Sequence, residues 1–436
     1  MERRKVIKGL MMAGGLGLMN VGPYKRVAAM AQTNGSDYKA LVAIFLYGGN
    51  DSNNMIVPID SRYSMYAAAR GSLSVPQGAL LSLGNTSYGV HPNMPGTQLC
   101  FNQGNLAVVA NMGPLVQPTT MSEYLAGSAP LPLNLESHPD QRNCMATALQ
   151  TSGFGSGWGG RISDALASDS QSAVPMAMSL FGATAFINGI QTKGYFPGGG
   201  WSCIEGSWCS TMEEGAQELL SLPSGAALIQ ADQGILSNVA EVNTIYTKAM
   251  TQATAPKVAF PQSDLGAQLQ EVAKIMSVRS QLGASRQIFL VGMLGFDTHA
   301  NQLSIHGPLL QQLDQALLSF SQALQAMNLY EQVTTFTLSE FTRTLLSNGN
   351  GGSDHAWGGH HLVMGGAVKG GKIYGSFPTL ECGGPDDISK NGSWLPSTSI
   401  NQYAATLALW FGVQPSQLTQ VLPNIQNFPS PALGFV

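Results

Sequence analysis

Short runs of apolar residues recur along the chain, and each borders a polar loop. The runs lie at Tyr38–Tyr47, Asn105–Ala110, Gln287–Leu294, Gln332–Leu338 and His361–Gly365. Within them apolar residues follow one another with little polar alternation, which is typical of strands that are buried on both faces. We therefore predict a parallel or mixed sheet that is covered by helices.

Helical periodicity lies between these runs. The segments Leu265–Leu282, Ile305–Leu329 and Ser399–Phe411 carry their apolar residues on one broad face. Alternation of strands and amphipathic helices predicts an α/β fold, a three-layer αβα sandwich. In such folds ligands bind beyond the carboxyl ends of the strands, because the loops converge there.

Residues 160–260 interrupt this alternation. The stretch GYFPGGGWSCIEGSWCS is rich in turn residues, and Ser224–Met250 has the pattern of one or two helices. We interpret 160–260 as an insertion or cap within a domain that spans 38–436.

The N-terminal segment has the layout of an export signal. Arg3 and Arg4 precede a short apolar run, and a small-x-small cleavage site follows at 29–31. The alternative is a short amphipathic first helix, but on that interpretation the arginine pair and the cleavage site would both be accidental. We expect 1–31 to be a twin-arginine signal peptide, read by the twin-arginine translocation machinery, with a periplasmic or secreted product. No later apolar run approaches the roughly 18 residues of a membrane helix, so we expect no transmembrane anchor.

Removal of 1–31 makes the chain acidic. That segment holds six Lys or Arg residues and one acid, so 15 of 21 basic and 24 of 25 acidic residues remain, a net charge of −9. An acidic chain without basic runs argues against nucleic acid or an anionic membrane as a partner. Charged residues make up only 11% of the chain, against about 25% in typical globular proteins, so we expect a large core.

The five cysteines all follow the leader. They are Cys100, Cys144, Cys203, Cys209 and Cys382, and an odd number leaves at least one thiol unpaired. Cys203 and Cys209 are close enough in sequence to bridge a tight loop in an oxidising compartment. No C-x-x-C pair is present, which disfavours a cysteine zinc site.

Acidic and histidine side chains occur in the loops that border the predicted strands. They are Asp51, Asp297, His299, Glu340, Asp354 and His355. If the sheet is correct, they converge on one edge, where carboxylates and imidazoles form a ligand set for one or two Zn²⁺ or Mn²⁺ ions. Asp297 and His299 project to the same side of an extended loop. Asp354 and His355 point to opposite sides, as ligands of two ions or as one ligand and its orienting partner. Each residue alone has an ordinary alternative as a turn, cap or loop residue.

The sequence contains no clear nucleophile. Ser137, in LESHPDQ, precedes a predicted helix start, where backbone N–H groups favour an anion, but serine is also an ordinary N-cap there. Arg343 follows Glu340 by three residues and either binds a substrate oxyanion or pairs with Glu340. A metal-activated water needs no protein nucleophile.

Several motifs together resemble a known family. They are GGND, SHPDQ, GFDTHANQ, SEFTRT, SDHAWGGHHLVMGGAVKGGKIYG and WFGVQPSQLTQVLPNIQNF. They resemble the secreted bacterial domain of unknown function 1501 family, which is grouped with the alkaline phosphatase and sulfatase superfamily. The resemblance extends from about Tyr38 to Phe428 and implies a three-layer αβα fold with a mixed or mostly parallel sheet.

The resemblance also implies site residues. Asp51 resembles the acidic ligand after the first strand, Asp297 and His299 resemble the Asp–His pair of one metal at a shorter spacing, and His355 resembles the last metal histidine. Glu340 falls where an Asp–His pair is expected. Thr342 and Ala356 stand where relatives carry glycine.

Two functions are consistent with these features. The first is an exported metal-dependent hydrolase of phosphate or sulfate esters, small-molecule or glycan, in which Ser137 or water attacks and Arg343 steadies the charge. The second is a non-catalytic secreted protein of the same fold, with a degenerate or structural metal site, that acts in envelope or polysaccharide assembly.

Overall fold

The computed structural model describes residues 37–150, 155–170, 172–197 and 227–436. The expected signal peptide and the proposed Cys203–Cys209 bridge lie outside these residues. Among the described helices, none combines the length and the apolar character needed to cross a membrane.

The strands coincide with the apolar runs of the sequence. In chain order they are β1 (Lys39–Leu46), β2 (Ile56–Pro58), β3 (Leu81–Ser82), β4 (Tyr88–Val90), β5 (Leu106–Gly113), β6 (Ala177–Ser179), β7 (Arg286–Met293), β8 (Val333–Leu338), β9 (Gly359–Met364), β10 (Ile373–Tyr374) and β11 (Thr398–Ser399). The five predicted strands correspond to β1, β5, β7, β8 and β9, and all five are confirmed.

The main sheet is mixed and mostly parallel. Its order is β10-β5-β9-β8-β1-β7-β6, and β11 pairs with β5. β1 lies between β7 and β8 and runs parallel to both, whereas β9 runs antiparallel to β5 and β8. The carboxyl ends of β1, β7 and β8 therefore lie at the same edge as the start of β9. A small antiparallel sheet, β2-β4-β3, stands apart from the main sheet.

Helices cover both faces of the main sheet. They are α1 (Ser52–Met55), α2 (Tyr63–Arg70), α3 (Pro95–Asn102), α4 (Met121–Leu125), α5 (His138–Thr147), α6 (Trp158–Ala165), α7 (Ala227–Met250), α8 (Asp264–Ser277), α9 (Gln302–Ala326), α10 (Ile400–Phe411) and α11 (Leu418–Val421). The three helices predicted from periodicity correspond to α8, α9 and α10. Ser399 begins α10 with a capping box. Its hydroxyl accepts from the backbone N–H of Gln402, and the side chain of Gln402 accepts from the backbone N–H of Ser399.

Alternate residues of β1 belong to two separate cores. Val42 and Ile44 pack with α8 and α9 on one face, whereas Leu41 and Phe45 pack with α6 and α10 on the other. Each fully buried aliphatic side chain contributes roughly 2 kcal/mol through removal of apolar surface from water. Burial on both faces explains why the strands read as unbroken apolar runs, and it gives the predicted three-layer αβα sandwich.

The span 160–260, expected to be an insertion or cap, is partly integrated in this sandwich. β6 adds a parallel edge strand beside β7, and Trp158 and Ile162 of α6 belong to one of the two cores. The predicted helical segment Ser224–Met250 contains the single helix α7. Residues 198–226 lie outside the described part of the chain, so the cap remains a prediction.

Candidate metal centre

The loops after β1 and β7 run side by side at the carboxyl edge of the sheet. The backbone N–H of Phe296 donates to the carbonyl of Tyr47. Gly48 has a φ of +116°, and a Cβ at this position would lie 2.3 Å from the backbone nitrogen of Asp297. Only glycine permits so close an approach. The GGND turn thereby fixes the path of the loop after β7 and with it the position of Asp297.

Backbone pairing places Arg343 and His355 next to each other. Thr342 exchanges hydrogen bonds with the segment 356–357, and the N–H of Thr344 donates to the carbonyl of Asp354. Arg343 and His355 face each other across this short antiparallel bridge. GGSDHAWGGHH is therefore one ordered wall of the site and enters β9 directly.

The start of α5 brings a third side chain to the same edge. His138 is the first residue of α5, and Pro139 follows it in the first turn, where proline suits the helix because its missing N–H has no partner there. Nε2 of His138 lies 3.4 Å from Oδ1 of Asp297. Nε2 of His355 lies 3.4 Å from the same oxygen.

Three ligand atoms therefore surround one point. His138, Asp297 and His355 each offer one ligand atom, and these three atoms all lie within 4.8 Å of one another; both Nε2 atoms lie 3.4 Å from Oδ1 of Asp297. An ion with bonds of about 2.0–2.2 Å to nitrogen and oxygen matches such a spacing. Two imidazoles and one carboxylate are a ligand set that suits Zn²⁺ and Mn²⁺.

Both histidines are held by a partner on the far side of the ring. Nδ1 of His138 lies 3.0 Å from Oε1 of Glu340, and Nδ1 of His355 donates to the backbone carbonyl of Glu136 at 2.7 Å. These bonds place the proton on Nδ1 and leave the Nε2 lone pair directed at Asp297. Nε2 of His138 is buried and has no hydrogen-bond partner. An unpaired buried acceptor is costly unless something binds it, and an ion at this point would do so.

Burial and the neighbouring charges favour the ligand forms of Asp297 and His355, whereas the hydrogen bond to Glu340 raises the pKa of His138. Burial raises the pKa of Asp297, but Arg343, His138 and His299 outweigh it, and the pKa is lowered overall. Nη1 of Arg343 donates to Oδ1 of Asp297 at 2.9 Å. Burial lowers the pKa of His355. Asp297 is thus ionised and His355 neutral near neutral pH, as metal ligation requires.

The sequence of this chain matches a known family. The sequence profile described as "Protein of unknown function (DUF1501)" matches residues 10–420. The chain belongs to the DUF1501 family. No curated protein sequence matches this DUF1501 protein.

Several solved structures are similar to this chain at low sequence identity. The lipoteichoic acid synthase LtaP from Listeria monocytogenes is 7% identical over 90% of this chain and 79% of its own, with a TM-score of 0.38. The C-terminal periplasmic domain of EcEptC from Escherichia coli, in complex with Zn, is 11% identical over 93% and 91%, with a TM-score of 0.33. A protein in the alkaline phosphatase superfamily from Vibrio parahaemolyticus is 10% identical over 87% and 73%, with a TM-score of 0.31.

Two further predicted ligands of the DUF1501 protein border the three-atom group. Nε2 of His299 lies 3.0 Å from Oδ1 of Asp297 and 3.0 Å from Nε2 of His355. Nδ1 of His299 lies 3.2 Å from Oδ1 of Asp354, which also accepts from Asn348. Asp354 therefore orients His299, and His299 lies within reach of the centre.

Asp51 is engaged elsewhere, contrary to its predicted place among the ligands. Its buried carboxylate pairs with Arg70 and also accepts from the side chain of Gln302. The same carboxylate accepts from the N–H of Asn53 and caps α1. Asp51 therefore belongs to an internal ion pair, because α2 packs so that its last residue, Arg70, contacts the Asp51 carboxylate.

Glu340, Arg343 and Ser137 also differ from their expected roles. The buried Glu340 carboxylate holds Nδ1 of His138, so it orients a ligand and does not join the three atoms. Arg343 pairs with Asp297, and its fully buried guanidinium also donates to two backbone carbonyls. Ser137 takes the N-cap position of α5, which was the alternative to its predicted role as a nucleophile, and its hydroxyl donates to Asp140 at 2.6 Å.

Two contributors to the centre are absent from the predicted ligand set. The first is His138, which lies in SHPDQ, where only Ser137 is a predicted site residue; a histidine that opens a helix is the available signal. The second is the backbone carbonyl of Glu136, which carries no sequence signal of its own. Glu136 has a φ of +70°, an uncommon conformation for a residue other than glycine.

Proposed function

We propose that this protein is an exported metal-dependent hydrolase of phosphate or sulfate esters. The convergence of Nε2 of His138, Oδ1 of Asp297 and Nε2 of His355 is the observation that carries the proposal. Three protein ligands leave coordination positions for water and substrate, which is the arrangement of catalytic rather than structural zinc sites. A divalent ion bound there, Zn²⁺ or Mn²⁺, would polarise an ester oxygen and lower the pKa of water.

The residues around the ligands have defined tasks in this proposal. Arg343 keeps Asp297 ionised and aimed at the centre. Glu340 and the carbonyl of Glu136 fix the tautomers of His138 and His355. Such outer partners raise ligand basicity and hold ring orientation. Water is the attacking group in this proposal, because an ion with three protein ligands keeps a coordination position for it.

His299 is the proton-transfer residue of the proposed site. Its side chain is 45% exposed, and Asp354 holds its Nδ1. Nε2 therefore faces the space beside Asp297 and His355. An imidazole oriented in this way can hold a proton at Nε2 and pass it to the leaving oxygen of an ester.

Export is part of the proposal. Arg3 and Arg4, the apolar run and the small-x-small site support passage through the twin-arginine machinery to the periplasm or beyond. An exported enzyme would meet small-molecule or glycan esters there. Changing Arg3 and Arg4 together to Lys is expected to retain the protein in the cytosol, and fractionation followed by immunoblotting measures this.

Hydrolysis is tested on metal-loaded protein with aryl phosphate monoesters, phosphate diesters and sulfate esters. We expect turnover of at least one class, its loss on chelation and its loss in Asp297→Asn. The matched control is Glu271→Gln, which removes a carboxylate that pairs with Lys274 on α8. Turnover that persists after chelation and in Asp297→Asn would refute the proposal.

A non-catalytic protein that retains a structural metal is the second candidate. The place of Ser137 as the N-cap residue of α5 favours it, because the sequence offered no clearer protein nucleophile. Such a protein would act in envelope or polysaccharide assembly. It predicts a bound ion without turnover of any ester class, and a stability that falls sharply on chelation.

A further inference from the structure

Arg142 lies beside the candidate metal centre, next to the carboxylate of Glu340. It follows His138 by four residues on α5, so both side chains leave the same face of the helix. Nη2 of Arg142 lies 3.6 Å from Oε1 of Glu340, and the side chain is 45% exposed. Among the described residues, the contacts of the guanidinium are an ion pair with Glu340 and a cation–π contact with Tyr47. By contrast, the Arg343 guanidinium is fully buried and donates to Asp297 and to two carbonyls.

An aromatic platform fixes the position of Arg142. Its guanidinium carbon lies 5.1 Å from the centroid of the Tyr47 ring. That ring stacks on Phe181 at 4.8 Å between centroids, with an interplanar angle of 23°. A Cβ at Gly292 would lie 2.8 Å from both rings, so glycine provides the space for this stack. A cation–π contact of this kind holds the guanidinium in place without requiring a hydrogen bond from its N–H groups.

Glu340 does not need a hydrogen bond from Arg142. Its Oε1 already accepts from the backbone N–H of Gly48 at 3.0 Å and lies 3.0 Å from Nδ1 of His138. The nearest Arg142 nitrogen is farther away, at 3.6 Å. The side chain is thus attracted to the carboxylate while its donors remain available to a ligand. A planar guanidinium with free donors matches the tetrahedral oxygens of phosphate and sulfate.

We propose that Arg142, held on Tyr47, forms an oxyanion-binding subsite next to the metal-ligand group. The subsite takes the phosphate or sulfate oxygens of an anionic substrate. This inference rests on the proposed function for its substrate class. Oxyanion binding itself is measurable without turnover, so the two proposals fail separately.

The experiment is calorimetric titration of inorganic phosphate and of sulfate into the purified protein, with metal and after chelation. We expect Arg142→Gln to weaken binding about tenfold in both states, as loss of charge-assisted hydrogen bonds does. Arg142→Lys is expected to be intermediate, because lysine keeps the charge and loses the planar fork. Metal content is expected to stay unchanged in both variants. Arg279→Gln is the matched control, since Arg279 also lies over a tyrosine ring, at 5.3 Å from Tyr38.

The outcomes separate the two proposals. Equal phosphate and sulfate affinity in wild type and Arg142→Gln, with metal retained, would overturn the subsite and leave the hydrolase proposal intact. Weakened oxyanion binding in Arg142→Gln together with a wild-type protein that turns over no ester would support the subsite and refute the hydrolase. If Arg142→Gln does not fold, Tyr47→Leu replaces it, with weakened binding supporting the subsite and unchanged affinity overturning it.

Discussion

Nδ1 of His138 lies 3.0 Å from Oε1 of Glu340, a carboxylate that is fully buried. The pair connects the start of α5 to the loop after β8, two parts of the chain that are 202 residues apart. The hydrogen bond to Glu340 raises the pKa of His138. It also turns Nε2 toward Asp297. Glu340 therefore acts on the centre through His138.

Replacement of Glu340 by Gln tests this relationship. The amide oxygen of Gln can still accept from Nδ1 but carries no charge, so the imidazole becomes a weaker ligand. We expect metal affinity to fall roughly 10- to 100-fold, the usual effect of losing an outer partner. Competition with a fluorescent chelator measures it, and Glu271→Gln serves as the control. Unchanged affinity would show that Glu340 does not support the centre.

Asp51→Asn separates the internal ion pair from the metal centre. Both members of the Asp51–Arg70 pair are fully buried, and loss of one partner from such a pair costs about 3–5 kcal/mol of unfolding free energy. We expect that loss in urea denaturation, with full metal content per folded chain. Asp297→Asn is expected to show the opposite pattern, loss of metal with a smaller loss of stability. Loss of metal in folded Asp51→Asn would return Asp51 to the ligand set.

The variant His299→Gln tests whether His299 is a proton-transfer residue or a fourth metal ligand. The three-atom group is complete without His299, so we expect the ion to stay and turnover to fall by a factor of about 10²–10⁴. Metal analysis and ester hydrolysis on the same preparation give both values. A loss of the ion in this variant would assign His299 to the coordination sphere.

Four buried histidines predict that stability falls in acid. They are His91, His306, His360 and His361. Burial lowers the pKa of His91 and His361 to about 4 and that of His360 to about 3, and it lowers the pKa of His306 as well. The unfolded chain takes up these protons near pH 6.5 and the folded chain does not, so stability is present above that pH and is lost below it.

The slope of this loss is measurable. Each such histidine contributes about 1.4 kcal/mol per pH unit between its unfolded and folded pKa values. Urea denaturation from about pH 7 to about pH 5, in chelator so that metal release does not contribute, gives the total slope. His360→Asn is expected to reduce it by one histidine's share. A flat profile over this range would contradict burial of these rings in neutral form.

The fold was predictable because a strand that is buried on both faces has an unbroken run of apolar residues in the sequence. β1, β5, β7, β8 and β9 all read as apolar runs, and the loops after β7 and before β9 held Asp297 and His355. His138 was not selected as a ligand because a long loop separates it from β5, and no periodicity reports where such a loop ends. Asp51 was assigned to the metal because its partner Arg70 becomes visible only when α2 packs back on the site.

Metal content tests the account most directly. The protein is purified from the periplasm and passed through gel filtration. One sample is then measured as purified and a second after incubation with Zn²⁺ or Mn²⁺, both by inductively coupled plasma mass spectrometry. The account predicts about one tightly held divalent ion per wild-type chain, its loss in His355→Ala and Asp297→Ala, and its retention in Glu271→Gln. A wild-type chain that holds no divalent ion under either condition would contradict it, as would a folded Asp297→Ala and His355→Ala double variant with full metal content.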